Sequence, residues 1–147
     1  VTRNGREFDI LKFRSMIVDA EKQGYQPAAS RDHRITKTGR IIRTIRLDET
    51  PQLFNILKGD MSIVGPRPER VEHVRKYTEK LPEFAYRLRV RGGLTGYAQI
   101  YGKYNTSAED KLKMDLMYIE KQSLLLDLQM ILLTVKVMFL PESTEGF

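Results

Sequence analysis

LDETPQLFNILKGDMSIVGPRPE, residues 47–69, holds a helix, a strand and a rigid turn within one short stretch. Thr50 before Pro51 resembles an N-cap followed by proline at the first helical position. Leu53, Phe54, Ile56 and Leu57 then supply an apolar face, and Gly59 supplies a natural C-terminal stop. The spacing predicts a short, mostly buried helix. Met61–Val64 reads as a brief strand, and Gly65-Pro66-Arg67-Pro68 as a fixed turn carrying one arginine. Mixed elements of this length set the class: α/β, mostly helical, a compact single domain over residues 1–147 with few short strands.

Upstream, residues 8–13 read as a strand or extended segment, running into a short helix over 15–22. Residues 24–30 carry Gly, Pro and small residues and read as a loop. Basic residues then recur at every third position, Arg31, Arg34, Lys37, Arg40, Arg43 and Arg46. Consecutive members would lie about 60° apart on a helix and spiral round it, so a solvated basic helix and turn is favoured over a phosphate site. Downstream, 69–80 reads as an exposed helix of mixed charge and 83–90 as a second, basic helix. Residues 92–96, Gly-Gly-Leu-Thr-Gly, read as a flexible loop, and Tyr97–Tyr101 as a strand. Ser107 with Asp110 three residues on marks a helix start, with Leu112, Leu116 and Ile119 on one face to about Lys121. Residues 124–140 are largely apolar, broken by Asp127, Gln129 and Lys136. This last stretch admits two readings, a buried core helix or an amphipathic helix lying at a membrane surface. The closing seven residues form a polar tail.

The chain of 147 residues carries 41% hydrophobic and 30% charged residues, which excludes a disordered chain and a bulk membrane protein. It has no cysteine and only His33 and His73, which excludes disulfides, thiolate nucleophiles and a histidine-rich metal site. A metal here would sit on carboxylate oxygens and substrate phosphates, which favours magnesium. The net charge of +6 calls for an anionic partner, be it nucleic acid, a phosphate substrate or a lipid surface. Aromatic residues are not interleaved with the basic run, so nucleic acid is not the expected partner. No stretch of about 20 uninterrupted apolar residues is present to span a bilayer.

Three features bear on chemistry. The adjacent carboxylates Asp48 and Glu49 lie where the basic segment meets a helix start. Locally, Asp48 reads as a favourable charge at a helix N-terminus and Glu49 as a partner for Arg43 or Arg46. The rival reading is catalytic, because cleaving a pyrophosphate needs cations to spread charge and a nucleophile aimed at phosphorus. Arg67, pinned between two prolines, suits recognition of an anionic group as well as it suits a plain rigid turn. Asp115 and Tyr118 share a helical face and read as solvent-facing by default. Asp127 interrupts an apolar run and needs a partner if buried.

In order and spacing, the chain resembles the bacterial sugar transferase family, the monotopic polyprenyl-phosphate phosphoglycosyl transferases. The resemblance runs through Lys12-Phe13-Arg14-Ser15-Met16, Asp32-x-Arg34-Ile35-Thr36-x-x-Gly39 and Leu47-Asp48-Glu49-x-Pro51-Gln52-Leu53-x-Asn55. It continues through Leu57-Lys58-Gly59-Asp60-Met61-Ser62-x-Val64-Gly65-Pro66-Arg67-Pro68 and Gly93-Leu94-Thr95-Gly96-x-Ala98-Gln99. It closes with Lys111-Leu112-x-x-Asp115-x-x-Tyr118, Ser123 and Asp127. The resemblance implies transfer of a sugar 1-phosphate from a UDP-sugar to undecaprenyl phosphate, releasing UMP, in polysaccharide or glycan assembly. It implies Asp48 as nucleophile, forming a covalent phosphosugar, with Glu49 assisting and the pair meeting Mg2+. Lys12, Arg14, Arg43, Arg67 and Asp127 become candidate substrate-binding residues. It also implies work at the cytoplasmic face of the cell membrane, with an N-terminal membrane helix that this sequence does not include, and it leaves homo-oligomerisation open. Gly92 stands where the family has proline, which predicts a more mobile loop. The alternative is a non-catalytic basic module binding anionic membrane or nucleic acid.

Overall fold

The computed structural model describes residues 1–20, 32–102 and 106–138. The predicted loop at 24–30, Arg31 and the polar tail lie outside the described residues. The helices are α1 (Lys37–Thr44), α2 (Gln52–Leu57), α3 (Val71–Lys80), α4 (Tyr97–Tyr101), α5 (Ala108–Lys121) and α6 (Leu124–Met138). Strands β1 (Met61–Val64) and β2 (Gly92–Thr95) pair in parallel, Met61 opposite Gly92 and Val64 opposite Thr95. The chain is mostly helical around a two-stranded sheet, as its sequence class implied. Among the described residues no helix is long and apolar enough to cross a membrane.

After a 3-10 turn at Arg3–Gly5 the N-terminal segment carries no helix or strand over 6–15, and it forms no helix over 15–20. Its backbone groups are engaged elsewhere. Ile17 N–H donates to Arg34 O at 2.8 Å and Thr36 N–H to Ser15 O at 3.1 Å, around an antiparallel bridge of Met16 with Ile35. Gly39 is required at the crossing, since a Cβ there would sit 1.9 Å from Ser15 O. Thr36 caps α1, its side chain accepting from Gly39 N–H at 2.9 Å.

The short helix α2 is present but turned the other way from its sequence reading. Gln52 and Asn55 are its buried residues, while Leu53, Phe54 and Leu57 are 51%, 63% and 83% exposed. Asn55 explains the inversion. Its Oδ1 accepts from Leu11 N–H at 3.0 Å and its Nδ2 donates to Asp9 O at 2.8 Å, stitching the extended segment to the helix. Thr50 does not cap α2; its hydroxyl donates to Leu47 O at 2.8 Å. Gly59 ends the helix in the left-handed region, φ 80°, as expected.

Residues 92–95 form a strand, not a loop, and Tyr97–Tyr101 forms a helix, not a strand. Backbone crowding selects glycine here. A Cβ on Gly93 would lie 2.1 Å from Gly65 N, and one on Gly92 would lie 2.5 Å from Pro68 Cγ. Gly92 is therefore a close-packing position within a paired strand. Residues Pro82–Arg89 turn as a 3-10 helix with Phe84 and Arg87 buried. The helix start at Ser107 is as read, with Ser107 accepting from Asp110 N–H at 3.1 Å. The core joins Val64, Tyr118 and Met130, so β1, α5 and α6 meet there. One face of α6 packs inward, with Met130 buried and Leu126, Ile131 and Leu133 against the core, while Leu124, Leu125 and Leu132 are 80%, 69% and 66% exposed.

Candidate active site

Asp48 and Glu49 lie in a 3-10 turn, Leu47–Glu49, entered through Arg46 at φ 54° and ψ 23°. A non-glycine residue in that left-handed region costs roughly 1–2 kcal/mol, which neighbouring contacts must offset. They do so at the backbone: Phe13 N–H donates to Asp48 O at 2.9 Å, tying the extended segment to the turn. The cap reading of Asp48 fails, because α2 begins at Gln52, beyond Thr50 and Pro51.

Glu49 is the hub. Its Oε1 accepts from Arg67 Nη2 at 2.8 Å and from Lys12 Nζ at 3.0 Å, so two cations distant in sequence converge on one oxygen. Burial alone would raise the Glu49 carboxyl, but Arg67 and Lys12 outweigh it and hold it at about 2. Asp48 behaves oppositely. Burial, with the Glu49 charge beside it, pushes its carboxyl up against the pull of Lys12 and Arg43. Adjacent carboxylates thus have separated proton affinities, Glu49 fixed as an anion and Asp48 raised by burial and by its neighbour. Asp48 makes no salt bridge among the described residues.

The fold thus brings Lys12, Arg43 and Arg67 to the pair. It places Arg14 exposed, without a hydrogen bond or ion pair to the pair, and Asp127 elsewhere. Tyr118 Oη donates to Asp127 Oδ1 at 2.7 Å and also lies 3.3 Å from Val64 O. Burial and then the Asp127 hydrogen bond raise the phenol. Asp127 found the partner its apolar surroundings demanded, and the contact joins α5 and α6 to β1.

Sequence reading passed over Arg87 and placed Arg46 and Asp115 only in part. Arg46 borders the pair and, through burial, has a lowered proton affinity. Arg87 is 8% exposed; its Nε donates to Asp115 Oδ2 at 2.6 Å and its Nη2 to Arg67 O at 2.9 Å. Asp115, read as solvent-facing, is 1% exposed. The signal was available: Asp115 shares the helical stripe of Leu112 and Ile119, the face that packs inward.

Magnesium binds few protein carboxylates and completes its shell with water and phosphate oxygens. Among the described residues no group of three or more His, Cys, Asp or Glu is placed to hold a metal. One oxygen of Glu49 is already taken by two cations. The donor set would therefore suit only an ion that arrives on phosphate oxygens, to which Asp48 and the other Glu49 oxygen could add.

A half-buried carboxylate pair with Lys12, Arg43 and Arg67 gathered at it defines an anion-handling site. Residues 1–141 match the family model described as bacterial sugar transferase, and the chain belongs to that family. It is 42% identical over 139 residues to a UDP-N-acetylgalactosamine-undecaprenyl-phosphate N-acetylgalactosaminephosphotransferase of Aeromonas hydrophila, covering 92% of this chain and 33% of that protein. It is 41% identical over 142 residues to the sugar transferase EpsL of Bacillus subtilis (strain 168), covering 97% and 68%. A UDP-glucose:undecaprenyl-phosphate glucose-1-phosphate transferase of Caulobacter vibrioides is 40% identical over 136 residues, covering 89% and 51%. The chain thus spans between a third and about two thirds of these relatives' lengths.

Proposed function

We propose that the protein transfers a sugar 1-phosphate from a UDP-sugar to undecaprenyl phosphate, through a phosphosugar carried on Asp48. The observation that carries this reading is the division of labour in the pair: Glu49 is locked as an anion between Arg67 and Lys12, while the half-buried Asp48 is in no salt bridge among the described residues and has its proton affinity raised.

In the first step an Asp48 oxygen attacks the β-phosphorus. The bond from that phosphorus to the bridging oxygen breaks, and UMP leaves with the bridging oxygen and its electron pair. In the second step a phosphate oxygen of the lipid acceptor attacks the same phosphorus and frees the Asp48 carboxylate, leaving the sugar on a lipid diphosphate. Arg43 and Lys12 lie near enough to Asp48 to lower its proton affinity, and would spread the charge that develops on the phosphates. Arg67 positions Glu49 and offers its remaining guanidinium edge to the nucleotide phosphates. Bound Mg2+, held by Asp48, Glu49 and phosphate oxygens, would neutralise phosphate charge. The apolar, exposed surfaces of α2 and α6 would rest on the cytoplasmic face of the cell membrane, where the net positive charge favours anionic lipid.

The test is UMP release from a panel of UDP-sugars by the full-length protein in lipid nanodiscs containing undecaprenyl phosphate. Release that requires Mg2+ and drops at least about 100-fold in Asp48→Asn is expected. Equal release from wild type and Asp48→Asn would overturn the reading.

A further inference from the structure

Residues 6–15 carry no helix or strand, yet Lys12, in their midst, reaches the carboxylate pair. The ties that place it come from far along the chain. Asn55 of α2 is 2% exposed; its Oδ1 accepts from Leu11 N–H at 3.0 Å and its Nδ2 donates to Asp9 O at 2.8 Å. Asn55 Nδ2 also donates to Asp60 Oδ2 at 3.3 Å, and Asp60 Oδ1 pairs with Arg6 Nη2 at 2.9 Å. One residue beyond Lys12, Phe13 N–H donates to Asp48 O at 2.9 Å. Lys12 thus lies between two backbone anchors, one on a buried side chain and one on the turn that carries the pair.

We infer that Asn55 is a positioning residue of the transfer reaction: its side-chain amide sets the register of residues 9–13 and so holds the Lys12 ammonium at the carboxylate pair. The inference rests on the transferase reading and adds to it a residue that acts through Lys12, without touching substrate. Three observations carry it. A carboxamide presents the same C=O and N–H groups as a peptide unit, so Asn55 stands in for the neighbouring strand that residues 9–11 lack among the described residues. The Lys12 side chain is 41% exposed, so its ion pair with Glu49 supplies little holding force of its own, and the backbone must bring it there. Register also decides which side chain arrives: a slip of one residue would present Leu11 or Phe13 to Glu49, and neither carries a charge. With the ammonium displaced, the charge it would spread on the phosphates loses its nearest counterpart from this segment.

The experiment follows single-turnover loading of Asp48 by intact mass, in the full-length protein in nanodiscs with saturating UDP-sugar, Mg2+ and no acceptor. The rate constant and the final adduct stoichiometry are read separately, because a folding defect lowers the second and leaves the first unchanged. Lys12→Met should slow loading about 100-fold. Asn55→Ala should slow it about tenfold or more. Asn55→Asp keeps the volume and the acceptor for Leu11 but has no proton to give Asp9 O at about pH 8. It should slow loading as well, and it guards against a folding defect in Asn55→Ala. In the Lys12→Met background either Asn55 change should cost less than about twofold more, since the ammonium it serves is already gone. Wild-type rate constants in both Asn55 variants, or equal slowing with and without Lys12, overturn this inference alone. A wild-type rate constant in Lys12→Met does the same. Absence of loading in wild type overturns the transferase reading and this inference with it.

Discussion

Removing Arg87 should damage both the stability and the site of this protein. Arg87 and Asp115 are 8% and 1% exposed and meet at 2.6 Å, so each charge relies on the other. Burial pushes the Asp115 carboxyl up against the pull of Arg87, as expected of a charge kept from water. Arg87→Met leaves that carboxylate without its partner, which costs about 3–5 kcal/mol. A domain of this size has only about 5–15 kcal/mol to lose. Arg87→Met, Asp115→Leu and the double variant form a cycle measured by urea unfolding. Each single change should lower stability by about 3 kcal/mol or more. The pair together should cost less than the two singles combined by at least about 2 kcal/mol, since apolar residues of similar volume replace a buried ion pair well. The second consequence is chemical. Arg87 Nη2 also holds Arg67 O at 2.9 Å, so the restabilised double variant still lacks the anchor behind Arg67. Its KM for UDP-sugar should rise while its fold persists. Single variants costing under about 1 kcal/mol, or strictly additive costs, would refute the coupling; wild-type KM in the double variant would refute the anchoring of Arg67.

Asp48→Asn should unfold at higher urea than wild type at neutral pH, because burial and the neighbouring Glu49 penalise the Asp48 carboxylate. That advantage should vanish as pH falls and both states bind the proton. Glu49 works with the opposite sign: its folded carboxyl is held at about 2, below the ordinary value of 4.5. Its contribution, on the order of 1–3 kcal/mol after screening at its half-exposed partners, is full above about pH 4.5 and lost as pH falls toward 2. Urea midpoints between pH 6 and 3 should fall more steeply for wild type than for Glu49→Gln. Replacing the exposed Leu124 and Leu125 by Glu should change stability by less than about 1 kcal/mol yet weaken flotation with anionic vesicles about 100-fold; unchanged flotation would remove α6 from the membrane surface.

What sequence made legible was local. The start of α5 at Ser107, the left-handed stop at Gly59 and strand β1 follow from side chains acting on their own neighbours. The misread elements depend on partners far along the chain. Gly92–Thr95 becomes a strand because β1 lies alongside it, and its glycines answer backbone atoms of Gly65 and the ring of Pro68. The inverted α2 follows from Asn55 binding Leu11 and Asp9, a contact that turns the apolar side of the helix outward. At the site, the resemblance pointed to Lys12, Arg14, Arg43, Arg67, Asp127 and the carboxylate pair, of which the fold gathers all but Arg14 and Asp127, yet local spacing assigned Asp48 to a helix cap. Only the turn geometry separates Asp48 from α2, and only the convergence of Lys12 and Arg67 distinguishes the two acids.

The central claim is that Asp48 carries the sugar phosphate in a covalent bond. Intact-mass measurement of the full-length protein after brief exposure to UDP-sugars with Mg2+ and no acceptor tests it directly. The account predicts a gain equal to one sugar phosphate, mapped to Asp48, absent in Asp48→Asn and discharged by undecaprenyl phosphate. An unmodified wild-type mass during active turnover, or an adduct that persists in Asp48→Asn, would contradict it.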